Sequence, residues 1–439
     1  MAEERELRIE VPALTRVEGE GALEIEVAAG RIRTLRLRIY EPPRLFERLL
    51  EGRSFEEVPD LVARICGICP VAYQMSAVHA FEALFGCEPG PWVRRMRRAL
   101  YCGEWIESHS LHIHLLAAPD LYGCESVVEL ARREPGAVRR GLALQALGND
   151  LIALFGGRSV HPVGVRAGGF HAAPRREAVA ALQARCEDAV PEAEALVDWA
   201  AGLERPRRPQ PLRCLALSHP DEYPMNEGEL ACTDGTRFPF GDFERHVEER
   251  QVPHSTALHA LLGGEPYLTG PVARLNLNHE RLHPVARAAL ARSGLALPVS
   301  DLNDAMVVRA VEVLHAVAEA AELLRGYEPP ERPFAEPCPR AGTTAWATEA
   351  PRGVLWHRYE VDGEGIVRGA RIVPPTSQNQ AHIEATLRAT LEAGGLGRAP
   401  EVLRAEAERT VRHYDPCISC ATHFLDLRIR EAGAGSRSG

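Results

Sequence analysis

The chain has 439 residues, of which 45% are hydrophobic and 26% charged, and its formal net charge is −10. A chain of this length can bury a large core, and its acidic balance argues against nucleic acid as a main ligand, because phosphate binding needs a basic surface. All 51 basic residues are arginines, which excludes chemistry that depends on lysine, such as a Schiff base or a P-loop.

The first forty residues predict a small sheet at about 5–40, because LRIEV, GALEIEV and IRTLRLRI alternate apolar and polar residues. Most of the remaining chain has helical periodicity. Long helices are predicted at 71–86, 91–119, 174–203 and 304–326, and shorter ones at 381–393 and 400–414. The proline- and glycine-rich segment 205–275 reads as irregular, and 354–375 as a hairpin around DGEG. We therefore expect an α+β, predominantly α-helical fold with small peripheral sheets.

No apolar run approaches the ~20 residues of a membrane span, and the N-terminus MAEERELRIE lacks the pattern of a signal peptide. A cytoplasmic protein with reduced thiols is the expectation. The odd count of 11 cysteines also fits poorly with a closed disulfide framework.

Two C-x-x-C pairs stand near opposite ends of the chain, in RICGIC (64–69) and DPCISCATH (415–423). Cys66, Cys69, Cys417 and Cys420 together form a soft ligand set, suited to zinc, nickel, copper(I) or iron–sulfur centres. One interpretation is a structural zinc site, but the pairs of zinc ribbons lie only ~15–20 residues apart. A site assembled from both ends of a large chain more often serves chemistry.

Together, these two motifs resemble the signature motifs of the nickel–iron hydrogenase large subunit. The resemblance extends over the whole chain through LTRVEGEG (14–21), EPPRLFERLLEGR (41–53), GGRSVHP (156–162), EAPRG (349–353) and VPPTSQN (373–379). Several of these stretches are most similar to the soluble, bidirectional NAD(P)-linked or sulfhydrogenase-type branch. The resemblance implies one large-subunit-like domain over residues 1–423, with a central bundle of long helices and small peripheral antiparallel sheets.

The resemblance implies that the four cysteines hold nickel, and that Cys69 and Cys420 bridge it to an iron carrying carbon monoxide and cyanide. Glu18 matches the family's proton-transfer glutamate, and Arg352 the arginine above the metals; with Cys417 they form the expected catalytic set. Without the family, Glu18 would read as a solvated loop residue and Arg352 as a salt-bridge partner.

Further residues match positions around the metals. Pro351, Thr376 and Ser377 correspond to residues around the iron's diatomic ligands, and Asp415 to a nearby acid. The sequence departs from the family pattern at Glu20, where a histidine is usual, and at Ser108, where an aspartate is expected.

A second cation is implied away from the thiolates. Glu47, the backbone carbonyl of Ile372 and His423 match the protein ligands of a buried magnesium or similar ion, a set that suits a hard cation. Without the family resemblance, Glu47 would be interpreted as a residue on a solvated helix face. Family precursors are cut directly after this histidine, so residues 424–439 read as a tail removed once the metals are loaded; alternatively, this chain keeps it.

The implied function is reversible heterolytic cleavage of dihydrogen. The other seven cysteines are scattered, so the electrons need a partner Fe–S subunit, for which His161 matches a residue near the partner's cluster. Further flavin- and NAD(P)-binding subunits, a maturation endopeptidase and nickel-insertion factors are also implied. The alternatives are a metal-free or zinc-binding assembly subunit and a hydrogen sensor.

Overall fold

The computed structural model describes residues 6–422. His423 and the tail 424–439 lie outside the described residues, so the boundary after His423 stays a prediction. No helix in residues 6–422 is long and apolar enough to cross a lipid bilayer.

The structure is mostly helical, with short strands between the helices. The helices are α1 (Phe46–Leu50), α2 (Val58–Val62), α3 (Pro70–Phe85), α4 (Pro91–Leu111), α5 (Ala118–Leu121), α6 (Val127–Arg133), α7 (Pro135–Gly156), α8 (Arg176–Gly202), α9 (Phe243–His246), α10 (Pro271–Asn278), α11 (Pro284–Arg292), α12 (Ala305–Leu324), α13 (Pro375–Gly394) and α14 (Pro400–His413). The strands are β1 (Leu7–Val11), β2 (Gly21–Ala28), β3 (Arg31–Ile39), β4 (Val165–Arg166), β5 (Gly169–Phe170), β6 (Leu215–Ser218), β7 (Glu229–Cys232), β8 (Arg237–Phe238), β9 (Val247–Arg250), β10 (His259–Leu262), β11 (Gly342–Ala350), β12 (Gly353–Val361) and β13 (Val367–Val373).

The centre of the molecule is a bundle of the long helices α4, α7, α8 and α12. Helix α12 is buried along nearly its whole length, and it carries buried Arg309, Glu312 and His315 among its apolar side chains. Helices α4 and α7 approach closely at two glycines. A Cβ atom on Gly148 would lie 2.5 Å from the backbone nitrogen of Glu107, so only glycine permits this contact.

Small antiparallel sheets surround the bundle. Strands β1–β2–β3 form the N-terminal sheet, which contacts α13, and β11–β12–β13 form a second sheet, which contacts α3. The turn between β12 and β13 falls on DGEG, as the sequence predicts. Both the α-rich fold class and the peripheral position of the sheets are confirmed.

Two local expectations were wrong. The segment 205–275 is not simply irregular, because strands β6 to β10 form small antiparallel sheets there. These strands have at most four residues, too few for an alternation to be visible. The helix expected over 91–119 also changes form: α4 ends at Leu111, and a π-helical turn at His112–Ala117 follows.

Candidate metal centre

The four motif cysteines meet in the interior. The Sγ atoms of Cys66 and Cys417 are 3.5 Å apart, those of Cys69 and Cys420 are 3.6 Å apart, and those of Cys417 and Cys420 are 2.8 Å apart. All four sulfurs lie within 4.8 Å of one another, and each residue is at most 4% exposed. A compact, dry set of four thiols fits one or two soft metal ions, including nickel with iron.

The first cysteine turn leads directly into a helix. Cys69 precedes Pro70, the first residue of α3, and the backbone N–H groups of Ile68 and Cys69 both donate to Cys66 Sγ at 3.3 Å. Contacts with the sulfurs of Cys417 and Cys420 hold the pKa of Cys66 well below its usual value, whereas burial raises the pKa of Cys417. The thiols therefore differ in acidity, and a bound soft cation would displace the remaining protons.

The second cysteine turn is held by residues distant in sequence. The backbone N–H of Cys417 donates to Thr376 Oγ1 at 3.0 Å, and that of Ser419 donates to the Glu18 carboxylate at 3.1 Å. The N–H of Ile418 donates to the Glu18 carbonyl at 3.1 Å. The predicted proton-transfer glutamate thus contacts the turn that carries Cys417 and Cys420.

Arg44 links the two turns to each other. Its guanidinium donates to the carbonyl of Ile65 at 2.7 Å and to that of Ser419, and its backbone N–H donates to Thr422 at 2.8 Å. The EPPRLFERLLEGR stretch therefore positions both cysteine pairs.

Arg352 and Asp415 form a buried pair beside the sulfurs. Arg352 Nε donates to the Asp415 carbonyl at 2.6 Å, and Nη2 is 3.2 Å from both carboxylate oxygens. Although burial opposes the charge, Asp415 and the nearby thiolates of Cys417, Cys69 and Cys66 raise the pKa of Arg352 well above its usual value. Arg352 Nη1 has no hydrogen-bond partner within residues 6–422, so one arm of the guanidinium remains available.

Arg274 supports the loop before Arg352, although no motif in the sequence marks this arginine. This fully buried guanidinium pairs with Glu312 at 2.8 Å and Glu349 at 2.9 Å, and donates to the carbonyls of Ala350 at 2.8 Å and Pro351 at 3.0 Å. It therefore fixes the backbone that leads into Arg352. The one charged residue of helix α10 was the signal that could have revealed it.

A second residue that sequence reasoning missed is Glu107 on α4. Burial raises its pKa well above the usual value; the charge of Arg352 opposes the shift, while Cys66 and Asp415 add to it. Glu107 adjoins Ser108, the predicted departure from the family pattern, and supplies a buried carboxyl group in the electrostatic environment of Arg352.

The remaining predicted residues are near these groups or near each other. Pro351 is part of the loop that Arg274 binds, because its carbonyl accepts from Arg274 Nη2. Ser377 Oγ donates to the Pro374 carbonyl at 3.0 Å. Glu47 Oε1 accepts from the backbone N–H of Ile372 at 2.7 Å, so these two predicted ligands meet, although through the N–H rather than the carbonyl. The third, His423, lies outside the described residues.

The outer side of the first turn reaches the protein surface. Arg64 and Gly67 are exposed, and the imidazole of His161 contacts the Ala63 carbonyl at 2.7 Å. Val160, the neighbour of His161, is 50% exposed. The second turn has no comparable exposure, because Cys417, Ile418 and Cys420 are at most 2% exposed.

A helical bundle that encloses four cysteine sulfurs from two distant C-x-x-C turns defines a metalloprotein with an internal thiolate centre. The chain belongs to the nickel-dependent hydrogenase family, whose model matches residues 44–137 and 265–423. This result confirms the resemblance found in the sequence motifs.

Individual relatives agree with this assignment. The chain is 31% identical to the sulfhydrogenase 1 subunit alpha of Pyrococcus furiosus over 96% of this chain and 99% of that protein. It is 26% identical to the NAD-reducing hydrogenase HoxS subunit beta of Cupriavidus necator, over 95% of both. A crystal structure of an NAD+-reducing [NiFe]-hydrogenase in the H2-reduced state matches with a TM-score of 0.85 and 27% identity, covering 95% of this chain and 99% of that one.

Proposed function

We propose that this chain is the catalytic subunit of a nickel–iron hydrogenase that cleaves and forms dihydrogen reversibly. Cys66, Cys69, Cys417 and Cys420 would hold the nickel, with Cys69 and Cys420 shared with an iron that carries carbon monoxide and cyanide. When bound, this group supplies the soft, redox-active metal needed to split dihydrogen into a hydride equivalent and a proton. The observation that carries the proposal is the buried cluster of four sulfurs, bordered by the Arg352–Asp415 pair and by Glu18.

The chain's own residues would position and move the proton. Asp415 and the Arg274-bound loop hold Arg352 in one orientation, with its Nη1 free to face a reacting group. Glu18 contacts the second turn and is partly exposed, so its carboxylate can accept a proton at the centre and release it outward. Burial of the surrounding side chains excludes water from the remaining sides.

The iron's diatomic ligands would lie among Pro351, Thr376 and Ser377. Thr376 Oγ1 accepts from the Cys417 N–H, so its own hydrogen remains available for a cyanide nitrogen. Ser377 now donates to Pro374, and it would have to rotate to serve the same purpose. We further propose a magnesium or similar ion bound by Glu47, Ile372 and His423.

The partner Fe–S subunit would dock where the first turn reaches the surface. Three residues are exposed at this location, namely Gly67, Val160 and Val163, and His161 lies beside them. The location is also favoured because electrons must leave the centre over a short distance.

The NAD-reducing relatives favour NAD(P) as the final acceptor, reached through a flavin-bearing subunit. None of the eleven cysteines forms a disulfide within residues 6–422, which supports a reducing cytoplasm. Nickel-insertion factors and an endopeptidase that removes residues 424–439 would complete maturation.

The test is the metal content of the chain purified from its native host, measured by elemental mass spectrometry together with dihydrogen-dependent activity. We expect about one nickel per chain with iron, lost in Cys417→Ser and retained in Cys102→Ser, a buried cysteine outside the cluster. Zinc without nickel would contradict the proposal and favour the structural site. Nickel without turnover would instead indicate a hydrogen sensor.

A further inference from the structure

A second group of metal-binding side chains lies away from the four cysteines. His254 lies between β9 and β10, His259 is the first residue of β10, and Glu384 lies on α13. One ligand atom from each residue falls within 4.8 Å of the other two. We propose that His254, His259 and Glu384 form a binding site for a divalent transition-metal ion, and that zinc is the ion that suits it best.

The carboxylate and one imidazole are already oriented towards each other. His254 Nε2 is 2.9 Å from Glu384 Oε1, a separation that two ligands of the same small ion can adopt. The backbone N–H of Leu37 donates to the same carboxylate oxygen at 2.8 Å. Outer hydrogen bonds of this kind commonly orient a ligating carboxylate.

His259 provides an independent indication of a ligand. The residue is only 6% exposed, and its Nε2 has no hydrogen-bond partner among residues 6–422. Buried polar groups usually have a hydrogen-bond partner, so a buried imidazole nitrogen without one, beside two other ligand atoms, supports a bound ion. The rings of His254 and His259 are 5.6 Å apart and nearly perpendicular, so the second imidazole borders the His254–Glu384 pair.

An ion could reach the site from solvent. His254 and Glu384 are partly exposed, and a surface cavity of about 380 Å³ opens beside His254. Arg36 and Arg38 also line this cavity, and Arg36 lies 3.5 Å from Glu24, which offsets part of its charge.

The donor set indicates the kind of ion. Two imidazoles and one carboxylate, with water at the open position, are a common arrangement for zinc. Magnesium and calcium prefer oxygen ligands throughout and are disfavoured. The expected ion is therefore different from the one proposed at Glu47.

A bound ion would connect three separate parts of the fold. The loop that carries His254 is already attached to the end of β3, because Thr256 Oγ1 donates to the carbonyls of Ile39 at 3.1 Å and Glu41 at 2.9 Å. The same loop already contacts α13 through the His254–Glu384 pair, and a shared ion would strengthen that link and add His259 of β10 to it. We therefore expect zinc to stabilise this region of the chain.

The experiment uses the purified, nickel-loaded full chain. The protein is dialysed against zinc, and bound metal is measured by elemental mass spectrometry and zinc X-ray absorption. We expect wild type to bind one more zinc than Glu384→Gln and His259→Ala, with N/O ligands at about 2.0–2.1 Å and no sulfur at about 2.3 Å. Zinc should raise the melting temperature of wild type but not of these variants.

The control is His171→Ala, which changes an exposed histidine outside the cluster and should bind zinc as wild type does. Glu384→Gln keeps an oxygen for the Leu37 N–H, so it tests the site even if His259→Ala folds poorly. Equal zinc binding by wild type and Glu384→Gln, or zinc coordinated by sulfur alone, would overturn the proposal. Unchanged nickel content in each variant would show that its zinc binding and melting temperature do not reflect damage to the thiolate centre.

Discussion

The two C-x-x-C turns have the same spacing and opposite surroundings. The first turn caps helix α3 and reaches the surface at Gly67, beside the exposed Val160. The second turn is buried and held by Glu18 and Thr376, with the Arg352–Asp415 pair alongside. Equal ligand spacing therefore does not imply equal roles: in the proposed mechanism electrons leave past the first turn, whereas protons move at the second.

The largest effect is expected from Glu18→Gln, which removes the proposed proton acceptor at the second turn. The amide still accepts from the Ser419 N–H, so the turn should remain folded. Loss of general acid–base catalysis typically costs about 10²–10⁴ in rate. The measurement is dihydrogen oxidation with nickel content determined in parallel, and the control is Glu20→Gln, an exposed neighbour. Equal activity in the two variants would contradict a proton path through Glu18.

Arg352→Lys tests the other group beside the second turn. All donors of an ammonium are on one nitrogen, so lysine cannot reproduce the forked contact with Asp415 and also place a second nitrogen where Nη1 lies; we expect activity to fall about 10²–10³-fold with nickel retained. Arg358→Lys, a partly exposed arginine on β12, should have little effect. If the two variants lose similar activity, Arg352 acts only in folding.

Val160→Asp addresses the first turn instead. A buried, unpaired charge at a docking surface should weaken association with the Fe–S subunit by roughly tenfold or more, while dihydrogen–deuterium exchange by the chain stays unchanged. The control is Val128→Asp on α6, where the valine is 61% exposed. Co-purification of the partner measures the effect. A normal yield of partner with Val160→Asp would place the interface elsewhere.

Gly19→Ala tests how closely Glu18 must approach the second turn. Gly19 has φ +85°, and an added Cβ would lie 2.6 Å from Ile418 Cβ. Strain of this kind costs about 1–3 kcal/mol of stability. Gly30→Ala provides a matched control, since Gly30 also has positive φ but has open space around it. Urea denaturation should show the greater loss for Gly19→Ala; equal losses would mean that the contact with Ile418 relaxes freely.

Acid should destabilise the helices that flank both turns. Burial lowers the pKa of His79 on α3, and lowers the pKa of His413 on α14 to about 3. A folded-state pKa below the unfolded value gives stability that is complete above pH ~6.5 and is lost as pH falls towards the folded pKa. His413 should therefore cost about 1 kcal/mol of unfolding free energy between pH ~6.5 and ~5.5, and His79 should act in the same direction. Urea denaturation at the two pH values, with His413→Asn for comparison, measures this; an unchanged midpoint would contradict it.

Much of this site was predictable because its chemistry is concentrated in short motifs. The cysteine pairs are visible as spaced motifs, Glu18, Arg352 and Asp415 stand in stretches that resemble the family, and most of the long helices show their period, although α7 was not predicted. By contrast, Arg274 and Glu107 lie in ordinary helical sequence, and their importance depends on which side chains pack against them. The strands β6 to β10 are too short to show any period.

The sequence by itself determined the candidate metal ligands, the helical class and the likeness to the nickel-dependent hydrogenases, because local spacing and motif order are read along the chain. Only the tertiary structure decided which residues meet. Cys66 and Cys417 stand 351 positions apart and have sulfurs 3.5 Å apart, and Glu384 lies 130 positions after His254 and 2.9 Å from it. Such contacts arise from the packing of helices and sheets over the whole core, and no local pattern encodes them.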